Sequence, residues 1–194
     1  MASGMAGSAT KLTYEDFVLF PDDGKRHELI DGEHFVTPSP GRRHQEVLAN
    51  LVRILSPIVH ERRAGHVFFA PFDVVFTRHD VVEPDLLFIT AARSAILTDA
   101  NVQGAPDLVV EVLSPSSRRQ DEVLKRDLYE RGGVAEYWIV DPEAETVKVF
   151  RRAEGEAATS RFARPQLLTL RDGDALASPL LPGLAIPLAA VFED

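Results

Sequence analysis

Residues 106–142, PDLVVEVLSPSSRRQDEVLKRDLYERGGVAEYWIVDP, decide the fold. Residues 107–113 (DLVVEVL) are almost continuously apolar, the pattern of a strand covered on both faces. Ser114-Pro115-Ser116-Ser117 breaks that run. A helix is then expected from about 118 to 131, stopped by Gly132-Gly133. Residues 135–140 (AEYWIV) follow as a strand, joined through Asp141-Pro142 to a further strand at 146–151 (TVKVFR).

Upstream, residues 26–37 (RHELIDGEHFVT) predict a hairpin, because Asp31-Gly32 is a strong two-residue turn signal. Residues 38–43 are loop. From His44 the apolar residues Val47, Leu48, Leu51, Val52, Leu55 and Val59 recur at helical spacing, with Pro57 set to kink the end. Strands are expected at 66–70, 72–77 and 82–89, and a weakly patterned segment at 91–104. Thr13 reads as the N-cap of a short helix with Glu15 and Asp16 in its first turn. Downstream, a polar stretch (153–161) leads to a strand at 166–170, and the apolar, Pro-rich tail 176–192 is expected to pack back on the sheet. Residues 1–11 read as a disordered leader and 12–194 as one domain. The succession of elements predicts a mixed-sheet α/β (α+β) architecture.

Composition narrows the function. The 194 residues contain no cysteine, which excludes disulfide scaffolds, Cys-ligated zinc, iron–sulfur clusters and thiol nucleophiles. No apolar run approaches the roughly 20 residues of a membrane span. The N-terminal MASGMAGSATKL has no apolar core, so no secretory signal is expected and a cytoplasmic location is. The 21 basic against 30 acidic residues leave a net charge of −9, which argues against a protein that coats DNA through general basicity.

Two acidic residues interrupt apolar strands. Asp85 opens the run Leu86–Ile89, and Glu111 sits inside 107–113 on the face it shares with Asp107, Val109 and Leu113. A carboxylate in such a strand needs a cation, a hydrogen-bond partner or an open cleft. A buried arginine partner would serve Glu111, a turn cap would explain Asp85, and Asp107 is expected to be structural. On the helix, Asp121, Lys125 and Tyr129 recur every four residues. Lys125 lies about 60° from Leu128, on the shoulder of the buried stripe, so it can either turn inward or pair with Asp121 on the surface. Two carboxylates on neighbouring strands can hold Mg²⁺ or Mn²⁺ through oxygen. Such a metal activates water at a phosphodiester, and a nearby lysine stabilises the developing charge.

Together these segments resemble the PD-(D/E)XK nuclease superfamily, and more closely the Uma2 family. The resemblance is carried by HELIDGE (27–33), PSPGRRHQEVLANL (38–51), VVEPDLLFI (81–89), the 106–142 block and LPGLAIPL (181–188), over roughly residues 14–190. It implies a restriction-endonuclease-like fold, a mixed central sheet flanked by helices. It further implies an Mg²⁺- or Mn²⁺-dependent endonuclease acting on nucleic acid, with DNA the expected substrate. Asp85 and Glu111 match the two acidic positions, and the carbonyl of Val112 matches a further metal ligand. The superfamily lysine usually lies two residues after the acid, where this chain has Leu113; the resemblance places it on the next helix, at Lys125. Glu28 matches an N-terminal acid that supports metal binding, its alternative being a pair with Arg26. Arg42, Arg43, His44, Arg118 and Arg119 are the candidate nucleic-acid contacts, His44 by meeting a phosphate at a helix N-terminus. Tyr129, Tyr137 and Trp138 are expected in the core rather than stacked on bases. A homodimer through the apolar tail is a further expectation. The competing reading is a catalytically silent nuclease fold that serves as a binding or partner module.

Overall fold

The computed structural model describes residues 10–152 and 161–193. The leader 1–11 therefore lies almost wholly outside the described residues, as does most of the polar stretch 153–161. Helices are α1 (Tyr14–Phe17), α2 (Arg42–Glu61), α3 (Arg126–Gly132) and α4 (Leu188–Val191). Strands are β1 (Arg26–Ile30), β2 (Glu33–Thr37), β3 (Gly65–Phe69), β4 (Val74–Thr77), β5 (Asp80–Val82), β6 (Leu86–Thr90), β7 (Val102–Gln103), β8 (Leu108–Val112), β9 (Glu136–Asp141), β10 (Thr146–Arg151), β11 (Gln166–Thr169), β12 (Ala175–Leu176) and β13 (Ile186–Pro187).

A six-stranded sheet in the order β11-β10-β9-β8-β6-β3 forms the centre, antiparallel except for the β8–β9 pair. Its side chains alternate between two cores, as the pleat requires. Leu86, Phe88, Leu108, Val110, Val112, Trp138 and Val140 face α2 and the C-terminal tail. Leu87, Ile89, Val109, Leu113, Tyr137 and Ile139 face α3 and a second sheet of order β2-β1-β5-β4-β7. Both faces of β8 are covered, which explains why it is apolar at every position but Glu111.

The Asp31-Gly32 turn has φ of 53° and 74°, so it joins β1 to β2 with the handedness that two-residue hairpins need. Helix α2 begins at Arg42, two residues earlier than the periodicity suggests, and continues through Pro57.

Three expectations change. The single strand expected over 82–89 is two strands in different sheets, because Glu83-Pro84-Asp85 carries the chain from β5 to β6. The weakly patterned 91–104 holds a 3₁₀ turn, Ala91–Ile96, and β7. The helix over 118–131 is a π-helical segment, Gln120–Lys125, followed by α3. A π turn takes more residues per turn than an α-helix and re-aims its side chains. Lys125 accordingly lies inside rather than on the shoulder, with 2% exposure, and Asp121 is buried beside it.

In the tail, Leu176, Leu181, Leu184, Ile186, Leu188, Val191 and Phe192 are all buried in the core that α2 shares with the central sheet. Those seven side chains are engaged within the chain. Among the described residues no helix is long and apolar enough to cross a membrane.

Candidate functional site

The ends of β6 and β8 and the start of β1 meet the π-helical segment at a buried group of charges. The β6–β8 register sets Leu86 opposite Val110, which carries Asp85 to the end of β8. There the Val112 N–H donates to Asp85 Oδ2 at 2.8 Å. His44 Nε2, in the first turn of α2, lies 3.0 Å from the same oxygen, and Arg26 from β1 donates to Oδ1 at 2.8 Å. Burial alone would raise the Asp85 carboxyl. The His44 hydrogen bond and the charges of Arg26 and Lys125 outweigh it and hold the group well below the usual carboxylate range.

Glu111 projects from β8 toward the π segment. Lys125 Nζ stands 2.9 Å from Glu111 Oε1 and 2.8 Å from Glu28 Oε1, with Asp121 Oδ1 at 3.7 Å. The Tyr129 hydroxyl donates to Glu111 Oε1 at 2.6 Å. Glu28 also accepts from Gln120 Nε2 at 2.7 Å and from the Glu83 N–H at 3.0 Å. Burial would lower Lys125, but Glu111, Glu28 and Asp121 surround it and keep it charged. Glu111 is pushed up to about 8 by burial, and the carboxylates Asp121, Asp85 and Glu28 add to that against Lys125. Burial likewise raises Asp121 to about 6.

A family model described as "Putative restriction endonuclease", Uma2, matches residues 14–189. The chain belongs to the Uma2 family. A crystal structure described as "a putative nuclease belonging to DUF820", from Anabaena variabilis ATCC 29413, shares the fold. It is 19% identical, with a TM-score of 0.76 over 93% of this chain and 97% of that one. At that identity the likeness speaks for the fold alone. No curated protein matches this chain.

In this Uma2 chain the structure brings Asp85, Glu111, Lys125, Glu28, His44 and the Val112 main chain into one group. The basic residues singled out from the sequence divide. Arg42 is exposed and pairs with Glu46 at 2.5 Å. Arg43 donates to the Phe192 carbonyl at 2.8 Å, so it anchors the tail. His44 is buried against Asp85 rather than presented at the surface. Arg118 pairs with Asp141 at 2.7 Å, whereas Arg119 is exposed and makes no ion pair among the described residues. Asp107 accepts from Thr90 and Arg93 and has the structural role expected of it. Tyr137 and Trp138 are core residues, as expected.

Arg26, Asp121, Gln120 and Tyr129 complete the group without having been chosen as site residues. Two signals pointed to three of them, and none to Gln120. Arg26 lies two residues before Glu28, on the same face of β1. Asp121, Lys125 and Tyr129 share a four-residue spacing, and the two partners of Lys125 join it in the site.

The group can be tested against a divalent cation. Four buried carboxylates, Glu28, Asp85, Glu111 and Asp121, face the two permanent cations Arg26 and Lys125. Burial first, and the neighbouring carboxylates after it, raise Glu111 and Asp121; a doubly charged ion would relieve the repulsion among the carboxylates, and oxygen is the ligand type for Mg²⁺ and Mn²⁺. In chemistry and charge the donors fit. In arrangement they are closed, since no three acidic or histidine side chains among the described residues are set around a common point to hold an ion. The Lys125 ammonium stands where Glu28 and Glu111 meet.

Proposed function

We propose that this protein is an Mg²⁺- or Mn²⁺-dependent endonuclease that hydrolyses phosphodiester bonds of nucleic acid, with DNA as the substrate. The observation that carries the proposal is the meeting of Asp85 and Glu111, from neighbouring strands, with the buried ammonium of Lys125. Asp85, Glu111 and the Val112 carbonyl would hold the metal, with Glu28 in support. When bound, the metal supplies the charge that polarises the phosphodiester and acidifies water. Lys125 holds its proton in this setting. It is therefore suited to orient the attacking water and to stabilise the negative charge that develops as the new P–O bond forms and the leaving oxygen departs.

A second reading rests on a specific observation. Every one of these carboxylates already has an internal partner, which suits a silent nuclease fold that binds without cutting. Calorimetric titration with Mn²⁺, wild type beside Glu111→Gln, separates the two. Binding by the wild type that is lost in the variant, with plasmid nicking abolished by Lys125→Ala, is the expected result. No heat of binding at millimolar metal and no nicking would transfer the assignment to the silent fold.

A further inference from the structure

The two carboxyl oxygens of Glu111 stand in different surroundings. Oε1 receives two donors, Lys125 Nζ at 2.9 Å and the Tyr129 hydroxyl at 2.6 Å. Among the described residues no hydrogen bond reaches Oε2. The fully shielded side-chain atoms that lack a partner there are His44 Nδ1 and Glu46 Oε2, so Glu111 Oε2 keeps some access to solvent.

The two donors hold Oε1 with unequal firmness. Lys125 ends a flexible four-carbon stem, and its ammonium is shared with Glu28 at 2.8 Å and Asp121 at 3.7 Å. Tyr129 lies one turn further on, in α3, and its ring is packed from two sides. Phe76 of β4 lies against it with ring centroids 5.8 Å apart, and Tyr137 of β9 meets it edge-on at 4.9 Å. Phe76 is itself seated on the main chain of α3, since a Cβ added at Gly132 would come within 2.6 Å of its ring. A ring so enclosed, with no exposed surface, fixes where its hydroxyl stands. That hydroxyl has one proton to donate, and Oε1 takes it.

We infer that Tyr129 is a positioning residue for Glu111: its hydroxyl, bonded to Oε1 beside Lys125, fixes the carboxyl so that Oε2 is the oxygen left for the metal. The inference rests on the metal-dependent nuclease reading of this site. Without the hydroxyl only Lys125 holds Glu111 among the described residues, and Lys125 is drawn equally toward Glu28. Groups that orient a metal-binding side chain without touching the metal govern affinity or activity by about 10–100-fold.

The test compares wild type, Tyr129→Phe and Tyr137→Phe. Each variant loses one buried hydroxyl and keeps its ring, so neither empties the core. Tyr137 is the control, because its hydroxyl donates to the Asp121 carbonyl at 3.1 Å and not to Glu111. Calorimetry reads Mn²⁺ affinity, plasmid nicking gives kcat and KM, and urea unfolding followed by Trp138 fluorescence reports the fold. Tyr129→Phe is expected to bind Mn²⁺ about tenfold or more weakly. At fixed Mn²⁺ it should cut with a lower kcat and an unchanged KM for the plasmid, and excess Mn²⁺ should restore cutting. Tyr137→Phe should bind Mn²⁺ as the wild type does. Wild-type Mn²⁺ affinity in Tyr129→Phe would overturn the role. An equal loss in Tyr137→Phe would overturn it too, since that is general loosening of the core. A wild type that binds and cuts, beside a Tyr129→Phe variant that does the same, removes Tyr129 and leaves the nuclease. A wild type that binds no Mn²⁺ and cuts nothing defeats the nuclease reading itself, and this inference with it.

Discussion

Lys125 donates to Glu111 across 2.9 Å in a setting where each side chain is almost wholly shielded from solvent. An ammonium and a carboxyl so placed are held by each other and by the hydrogen bonds around them, here Tyr129 on Glu111 and Glu28 on Lys125. Removing Lys125 leaves the buried carboxyls of Glu111, Glu28 and Asp121 together with no ammonium among them.

Lys125→Met is therefore expected to destabilise the fold by about 3–5 kcal/mol, as read from urea unfolding followed by Trp138 fluorescence. Glu111→Gln in the same background should recover part of the loss. A coupling energy of about 1 kcal/mol or more is expected from the double-mutant cycle, and strict additivity of the two changes would contradict the pairing.

The pH dependence has two limbs of opposite sign. Glu111, raised to about 8, and Asp121, raised to about 6, bind protons in the folded state that the unfolded chain has already released. Their favourable contribution is complete below the ordinary carboxylate range and is lost as pH rises through those values. Asp85 is depressed, so its contribution is present above the unfolded value and is lost as pH falls through the folded one. The urea midpoint should thus fall between pH 5 and pH 8 and fall again in strong acid. Glu111→Gln should flatten the upper limb, and an unchanged slope in that variant would refute the assignment.

The tail is held by polar contacts as well as by its apolar side chains. Asn50, buried on α2, donates to the Val191 carbonyl at 3.1 Å and to the Glu193 carbonyl at 2.9 Å. Asn50→Ala removes both donors and should lower stability by about 1–3 kcal/mol. Thermal unfolding, together with faster proteolytic removal of the tail, checks this.

Gly133 ends α3 with φ of 99°, a conformation that favours glycine. An added Cβ would meet only Ala105 Cβ, at 3.9 Å, which is ordinary contact, so backbone strain is the whole effect. Gly133→Ala should cost about 1–2 kcal/mol by chemical denaturation. It should act through the helix that carries Tyr129.

Much of this is legible in the chain. The hairpin follows from Asp31-Gly32, α2 from its apolar period, and β8 from a run that is apolar on both faces except at Glu111. Asp85 and Glu111 are conspicuous because acids interrupt apolar strands. The division at Glu83-Pro84-Asp85 is not legible, since Val82 and Leu86 are equally apolar and only sheet pairing tells which sheet each joins. The depth of Lys125 is hidden too: an α-helical angle places it on the shoulder, and the π turn moves it inside.

The sequence by itself determined which residues pair as local elements and which acids had to find partners, because turn chemistry and hydrophobic period act over a few residues. Tertiary structure decided which partners those acids found. Arg26, His44 and the Val112 N–H converge on Asp85 from β1, α2 and β8, and Lys125 reaches Glu28 across nearly a hundred positions. Contacts between residues so far apart depend on how sheets and helices stack, and no short-range pattern encodes them.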